Sequence, residues 1–483
     1  MPFDWPAMAP MIAVFLTGVV AMVVEMLSPR RTNNLIVGVC LVGLGFAASL
    51  VVRIWDHSAN SLGGLFTDDR FGHIMQLAII GIAFLTVLYS EGYLRERRLP
   101  FGEYYPLVLW SALGAMIMST SRDLLIIFLG LEVLSIALYV LSGLSSREKK
   151  SQESALKYFL LGAFATGFLL YGISFVYGAT GSTNISSISA LVSMGKDVNP
   201  TNIKLLYAGL GLILVGFGFK TALVPFHMWT PDVYQGAPTS VTGFMAACVK
   251  VGAFAALARF LYGAADLRDV WLPILMVLAA LTMTVGNLIA LVQKDAKRIL
   301  GYSSIAHAGY VLVALAAYGA LQGTAGAIGY NTLAYYLLSY AAMTVGAFAV
   351  LSLSARNGQE GTLLEDFHGM YRRAPFLAAA MIIFMASLAG IPLTAGFLGK
   401  LLIFKDALSA GMVWLAIVLA VNSVISAFYY LRIVVAISVQ KPELREPQFG
   451  KVNAGLVATC AVSAVIVLGM FFGYQPLVAW IGL

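Results

Sequence analysis

Apolar stretches of about twenty residues recur from one end of the chain to the other, separated by short polar connections. A helix needs roughly 20 apolar residues to cross the hydrocarbon core of a bilayer. On that rule the pattern predicts about fourteen membrane-spanning helices, centred near residues 18, 45, 82, 113, 133, 168, 215, 250, 282, 310, 340, 388, 423 and 468. The longest polar stretches lie near 179–203, 355–375 and 437–454, and none marks a linker to a soluble domain. Residues 1–483 therefore read as a single polytopic membrane domain of the all-α class. The ten-residue alternation of a membrane barrel is absent. The first span runs from about Met8 to Leu27 and is followed by Arg30 and Arg31. It is longer than a signal-peptide core and reads as a retained anchor.

One stretch breaks the helical pattern without leaving membrane depth. Between Gly216 and Lys250 the apolar run contains Pro225, Pro231 and Pro238 together with Gly236. Proline lacks the backbone donor and clashes with the preceding turn, so a helix entering here ends or breaks. Two lysines, Lys220 and Lys250, flank the break. Irregular backbone and buried ammonium groups survive at membrane depth only where protein or a water-filled cavity satisfies them. Discontinuous spans with ionisable groups near the midplane recur in ion transporters. A second segment, SLAGIPLTAGFLGK near span twelve, again combines Gly, Pro, Thr and a lysine, Lys400. The two lie about five spans apart, so they run in opposite directions, which predicts inverted five-helix repeats over roughly 105–262 and 271–436.

Composition agrees with this picture. The chain is 60% hydrophobic and 11% charged, with a mean hydropathy of +0.87, against about 25% charged residues in soluble domains. Its formal charge of +7 is spread over many short loops and is not a nucleic-acid footprint. With both termini outside, the inner loops hold SPRR, LRERR, SREKK, QKDAKR, MYRR and the tail loop with Lys441, Arg445 and Lys451. That places roughly 19 of the 30 basic residues inside and about 8 outside, with three in the membrane, as the positive-inside rule requires. Cys40, Cys248 and Cys460 fall far apart in apolar spans and read as small core residues.

The candidate chemistry lies in the few ionisable residues at membrane depth. Glu132 sits in DLLIIFLGLEVLSIALYVLSG, out of snorkelling reach of either surface. Lys220 is its natural partner, and a change in their separation would alter the lysine's readiness to release a proton. The alternative is a static buried ion pair that fixes helix packing. Lys250 and Lys400 extend the set into a relay across the width of the chain; Lys400, near Lys405 and Asp406, could instead snorkel to a surface. His227 and His307 could bridge lysines through water, or be hydrogen-bonded core histidines. Lys157, beside SREKK, suits a solvated inner-face charge as well as a relay role. Glu25, close to Arg30, reads as structural. No metal set, P-loop, HExxH, dinucleotide fingerprint or iron–sulfur cysteine pattern is visible, so any redox chemistry belongs to other subunits.

GFGFKTALVPFHMWTPDVYQGAPT, QKDAKRILGYSSIAHAGY and LAGIPLTAGFLGK resemble the antiporter-like subunits of respiratory complex I and of multisubunit cation/proton antiporters. The resemblance runs from about Tyr104 to Tyr430. Within it, KYFLLGAFATGFLLYGISFVYGATGS looks most like the smallest of the three such subunits in bacterial NADH:quinone oxidoreductase. Lys400 disfavours the relative with a glutamate at that position, and nothing after span fourteen matches the lateral helix of the longest relative. The resemblance implies a proton channel in the bacterial plasma membrane, seated among other membrane-arm subunits. It places Glu132, Lys220, Lys250 and Lys400 at the family's relay positions, and Lys157, His227 and His307 at further functional or water-bridging ones. Flavin, iron–sulfur clusters and the quinone site are expected in partner subunits, with no cofactor in this chain. A cation/proton antiporter driven by an ion gradient is the alternative; a purely structural subunit would leave four embedded ionisable residues unexplained.

Overall fold

The computed structural model describes residues 4–27, 34–99, 102–193, 200–321, 328–440 and 449–481. Arg30, Arg31, Lys441 and Arg445 lie outside them. The chain begins with α1 (Trp5–Leu27) and α2 (Asn34–Arg53), then a small antiparallel hairpin of β1 (Ala59–Ser61) and β2 (Phe66–Asp68). There follow α3 (Arg70–Glu96), α4 (Tyr104–Thr120), α5 (Leu124–Ser142), α6 (Lys149–Thr180) and the short α7 (Ile185–Ser193). The centre holds α8 (Pro200–Thr221), α9 (Thr230–Gly236), α10 (Thr239–Gly263), α11 (Arg268–Val292), α12 (Ala296–Leu321) and α13 (Ile328–Leu351). A second hairpin, β3 (Ala355–Arg356) with β4 (Gln359–Glu360), precedes α14 (Met370–Arg373), α15 (Pro375–Ala389) and α16 (Ala395–Ser409). The last elements are α17 (Val413–Ser438), α18 (Ala454–Phe472) and α19 (Tyr474–Ile481).

Twelve of the described helices are long and apolar enough to cross a membrane. The 17-residue α4 and the broken pair α15/α16 complete the fourteen crossings that hydropathy predicts. Hydropathy does not foresee the hairpins or α7, α9, α14 and α19, because each is short and most lie in polar connections. Polar side chains fix where the spans start. Asp123 accepts from the amides of Leu125 and Ile126 at the head of α5, and Asn453 accepts from Leu456 at the head of α18.

Helices apolar on every side must be enclosed by others. The apolar windows of α10 and α12 are wholly buried and that of α13 nearly so, whereas α1, α2, α6 and α18 bury only a minority of theirs. Lipid supplies no hydrophobic drive for helix association, so close packing decides it. Gly114 of α4 and Gly130 of α5 face each other so closely that a Cβ on either would meet the other helix's backbone. Gly172 of α6 and Gly209 of α8 do the same. Lys250 and His307 therefore stand on the two innermost helices, out of reach of lipid.

Candidate functional site

Two interruptions of regular helix organise the site. The first follows α8, where Ala222 takes a left-handed φ of 62° and the chain runs irregularly to α9. For a residue with a Cβ this conformation costs about 1–2 kcal/mol. Part of the frayed end is satisfied by Trp229, whose indole donates to the Phe219 carbonyl at 3.0 Å, and by Thr282, which accepts from the Val224 amide at 3.0 Å. The second separates α15 from α16, with Gly390 at φ 88° and Leu393 at φ 71°. Each interruption leaves helix-end carbonyls without intrahelical donors, and these carry the negative end of the helix dipole. A lysine answers each, Lys250 at the Thr221 carbonyl and Lys400 at those of Leu388 and Ala389.

At the first, Lys220 is 4% exposed. Its ammonium donates to Ser135 Oγ at 2.7 Å and to Tyr158 OH at 3.0 Å, and lies 5.2 Å from the centre of the Tyr158 ring. Tyr158 is held by stacking on Trp229, ring centres 4.7 Å apart. Ser135 stands one helical turn from Glu132 on α5. The expected contact between Glu132 and Lys220 is thus indirect: no ion pair joins them among the described residues, and Glu132 Oε1 is buried without a hydrogen-bond partner. Glu132 lies at the border between the buried face of α5 and an outward stripe of Leu129, Val133, Ile136 and Val140.

Lys250 links the break to the second half of the chain. Its ammonium donates to the Thr221 carbonyl at the end of α8, at 3.4 Å, and to the Ser304 carbonyl on α12. Ser304 Oγ accepts from Tyr340 OH at 2.8 Å, and the Tyr340 ring lies against both Lys250 and His307. His307, one turn along α12 from Ser304, is 2% exposed. Its Nδ1 is 2.7 Å from Tyr336 OH and its Nε2 is 3.0 Å from Tyr430 OH. A neutral imidazole has one donor and one acceptor nitrogen. Set between two hydroxyls, it can take a proton on one side and release one on the other.

Lys400 closes the line. It is 6% exposed and donates to the Leu388 and Ala389 carbonyls at 2.9 and 3.1 Å, the end of α15 at the second break. Its ammonium lies 4.9 Å over the Tyr310 ring, which itself packs edge-on against His307. It does not snorkel. Lys250, His307 and Lys400 thus stand along one buried polar line, with Lys220 at the same break as Lys250 and Glu132 one turn from Ser135, the partner of Lys220.

The other two candidates stand apart. Lys157 has a half-exposed side chain that pairs with Glu153 at 2.5 Å and with Asp232 at 2.7 Å; Asp232 also pairs with Arg298 at 2.8 Å. It stands at the end face of the bundle, in a network of ion pairs. His227 lies in the first break beside the outward-facing Met228, with Nδ1 buried and unpartnered. Sequence reasoning missed the hydroxyls that join the ionisable groups: Ser135, Tyr158, Ser304, Tyr336, Tyr340 and Tyr430. The available signal was Tyr336 and Tyr340 at helical i, i+4 spacing, opposite the SSIAH run of α12.

Residues 121–426 match the family described as NADH:quinone oxidoreductase/Mrp antiporter, TM. A relative from Trichlorobacter lovleyi named NADH-quinone oxidoreductase subunit N is 42% identical over 457 residues, covering 94% of this chain and 91% of its own. A protein of the same name from Chloroflexus aggregans is 40% identical, over 96% of this chain and 94% of its own. A chain of respiratory complex I from Thermus thermophilus, solved with bound aureothin, superposes with a TM-score of 0.81 at 37% identity. That match covers 96% of this chain and 97% of the other. A chain of the Mrp complex from Dietzia sp. shares the fold, with a TM-score of 0.82 at 22% identity over 98% and 96% of the two chains.

Proposed function

The chain belongs to the NADH-quinone oxidoreductase subunit N family, and from that premise we propose that its buried line from Glu132 to Lys400 is the path by which complex I moves protons through this subunit. As a member of that family it is an antiporter-like, proton-translocating membrane subunit of complex I, without a redox centre of its own, seated among the other antiporter-like subunits in the bacterial inner membrane. We assign flavin, iron–sulfur clusters and the quinone site to its partners. We also place both termini on the outer side, from the distribution of basic loops.

Energy released by electron transfer in those partners reaches this chain at its surface. Glu132 is the entry, because it borders an outward stripe of α5 that another subunit can cover. Moving charge near Glu132 changes the balance at Lys220, which is held by two neutral hydroxyls and has no ion-pair partner among the described residues. The change passes to Lys250 across the Thr221 carbonyl, through Ser304, Tyr340 and His307, to Lys400 for release on the outer side. The two interruptions, each with a lysine on its helix-end carbonyls, are the matching centres of inverted repeats over roughly 105–262 and 271–436. The observation that carries the reading is His307 bridging two tyrosine hydroxyls, with Tyr340 packed between it and Lys250 and Tyr310 between it and Lys400.

Replacing Lys220 tests it. Lys220→Ala in the assembled complex lowers pumping and coupled quinone reduction, while NADH oxidation by an artificial acceptor stays near the parent rate. Full pumping by that variant would defeat the relay.

A further inference from the structure

A second set of buried charged groups lies outside this line, at the end of the bundle that carries Lys157, Asp232 and Arg298. Arg97, just beyond α3, has a side chain only 2% exposed. It donates to the Gly358 carbonyl in the β3–β4 turn at 2.7 Å and to Glu148 at 2.7 Å, with Nε 3.6 Å from Glu360. The Glu360 side chain is 7% exposed and accepts from Tyr93 OH at 2.9 Å and from the Thr239 hydroxyl. Thr239 opens α10, the helix of Lys250. Lys297 is 1% exposed and donates to the Ala237 carbonyl at 2.5 Å, two residues before the Thr239 whose hydroxyl Glu360 accepts from.

These groups point toward Lys250. Lys297, Gly301 and Ser304 fall at i, i+4 and i+7 on α12, one stripe of the helix. Gly301 carries no side chain there, and a Cβ on it would lie 3.5 Å from the Tyr234 ring. The Tyr234 ring thus borders the stripe that ends at Ser304, whose carbonyl holds Lys250 and whose hydroxyl accepts from Tyr340. Of the charged members, Glu148 is the one open to solvent, with a side chain 46% exposed. Anchoring a hairpin calls for one ion pair. A fully buried lysine bonded to a backbone carbonyl is an expensive addition to it, and groups of this kind in membranes lie on ion paths.

We propose that Glu360 and Lys297 form the loading site that supplies Lys250 with protons from this end of the bundle, with Arg97 and the β3–β4 hairpin as its cover. The proposal rests on the relay reading above. A proton from water beyond Glu148 is taken by the Glu360 carboxylate, which becomes the acid. Glu360 passes it to the neutral amine of Lys297 and returns to carboxylate. Lys297 releases it along the α12 stripe toward Ser304 and returns to the neutral amine, and the neutral amine of Lys250, held at the Ser304 carbonyl, takes it and becomes ammonium. Arg97 stays charged throughout and is a positioning residue.

The test uses the assembled complex in proteoliposomes, with Glu360→Gln, Glu360→Asp, Lys297→Met and Lys250→Ala. We expect Glu360→Gln to lower coupled turnover by about tenfold, the modest end of what losing a proton-transfer group costs. Artificial-acceptor activity stays intact, and Glu360→Asp restores most of the rate. Millimolar formate, a small proton carrier, also raises the rate of Glu360→Gln; a hairpin anchor would not respond to it. Lys297→Met falls to a similar level, and carries the test if Glu360→Gln fails to assemble. Full turnover in both, with loss in Lys250→Ala, overturns the loading site and leaves the relay standing. A slow Glu360→Gln that neither formate nor aspartate rescues makes the cluster an anchor and also overturns the proposal. Full pumping in Lys250→Ala removes the relay itself, and the loading site with it.

Discussion

In the proposed relay the link between Lys250 and Lys400 runs through a single imidazole, which makes Tyr336→Phe and Tyr430→Phe a sharp perturbation. Each removes one oxygen from a tightly packed site and keeps the ring. His307 is 2% exposed, with its nitrogens 2.7 and 3.0 Å from the two hydroxyls. Deleting one hydroxyl leaves a buried polar nitrogen unsatisfied, at a cost of about 1–3 kcal/mol. For a proton step that uses the missing bond, this is a slowing of about 5- to 150-fold. Tyr430 also bonds Ser303, which lies next to Ser304, so a partial substitute stands close to that side. Tyr336→Phe is therefore the more severe of the two. Steps in series add their times, so the double variant should fall close to the slower single variant. The assay is coupled NADH:quinone turnover with vesicle acidification, normalised to artificial-acceptor activity. Full-rate pumping by the double variant would refute the path through His307, because it leaves neither nitrogen with its tyrosine hydroxyl.

Two predictions concern the opposite end of the bundle. Arg259 is buried and holds Asp69 with bonds of 2.7 and 2.8 Å, and its Nε donates to the Ser119 carbonyl at 2.6 Å. Arg259→Ala should destabilise the fold by about 3 kcal/mol, the low end for breaking a buried pair because the Asp69 side chain is about one-third exposed; unchanged thermal unfolding of the solubilised subunit would contradict this. His57, in the connection between α2 and β1, hydrogen-bonds Asp68, which raises its pKa above the usual 6.5, with Asp4 3.7 Å from its other nitrogen. A raised folded value stabilises the protonated form, so this contribution is complete below about pH 6.5 and is lost as pH rises through the folded value. Hydrogen exchange in residues 54–70 should therefore quicken as pH rises, beyond the intrinsic trend, and His57→Gln should remove the excess; an equal excess in the variant would rule the histidine out.

Much of this architecture is legible in the chain before any coordinates. The spans follow from the length of apolar runs, and the first break from Pro225 and Pro231 placed beside Lys220. Lys400 is legible as an embedded charge, though its neighbours Lys405 and Asp406 suggested a surface that packing does not provide. What cannot be read is pairing. Glu132 and Lys220 look like an ion pair because each lacks another charged partner in sequence, yet Ser135 and Tyr158 hold the lysine. Hydroxyls carry no mark in hydropathy, and which tyrosine of 22 meets which histidine depends on helix rotation, a tertiary property. Lys297 hides for a different reason: it sits in a basic loop motif, QKDAKR, that reads as solvated until the fold buries it against the end of α9.

The most direct test of the central claim is the number of protons moved per electron by complex reconstituted with Lys220→Ala, compared with the parent. A lower ratio, with unchanged electron input from NADH to an artificial acceptor, is the predicted result. An unaltered ratio in a fully assembled complex would mean that protons do not cross this subunit by way of its buried lysines.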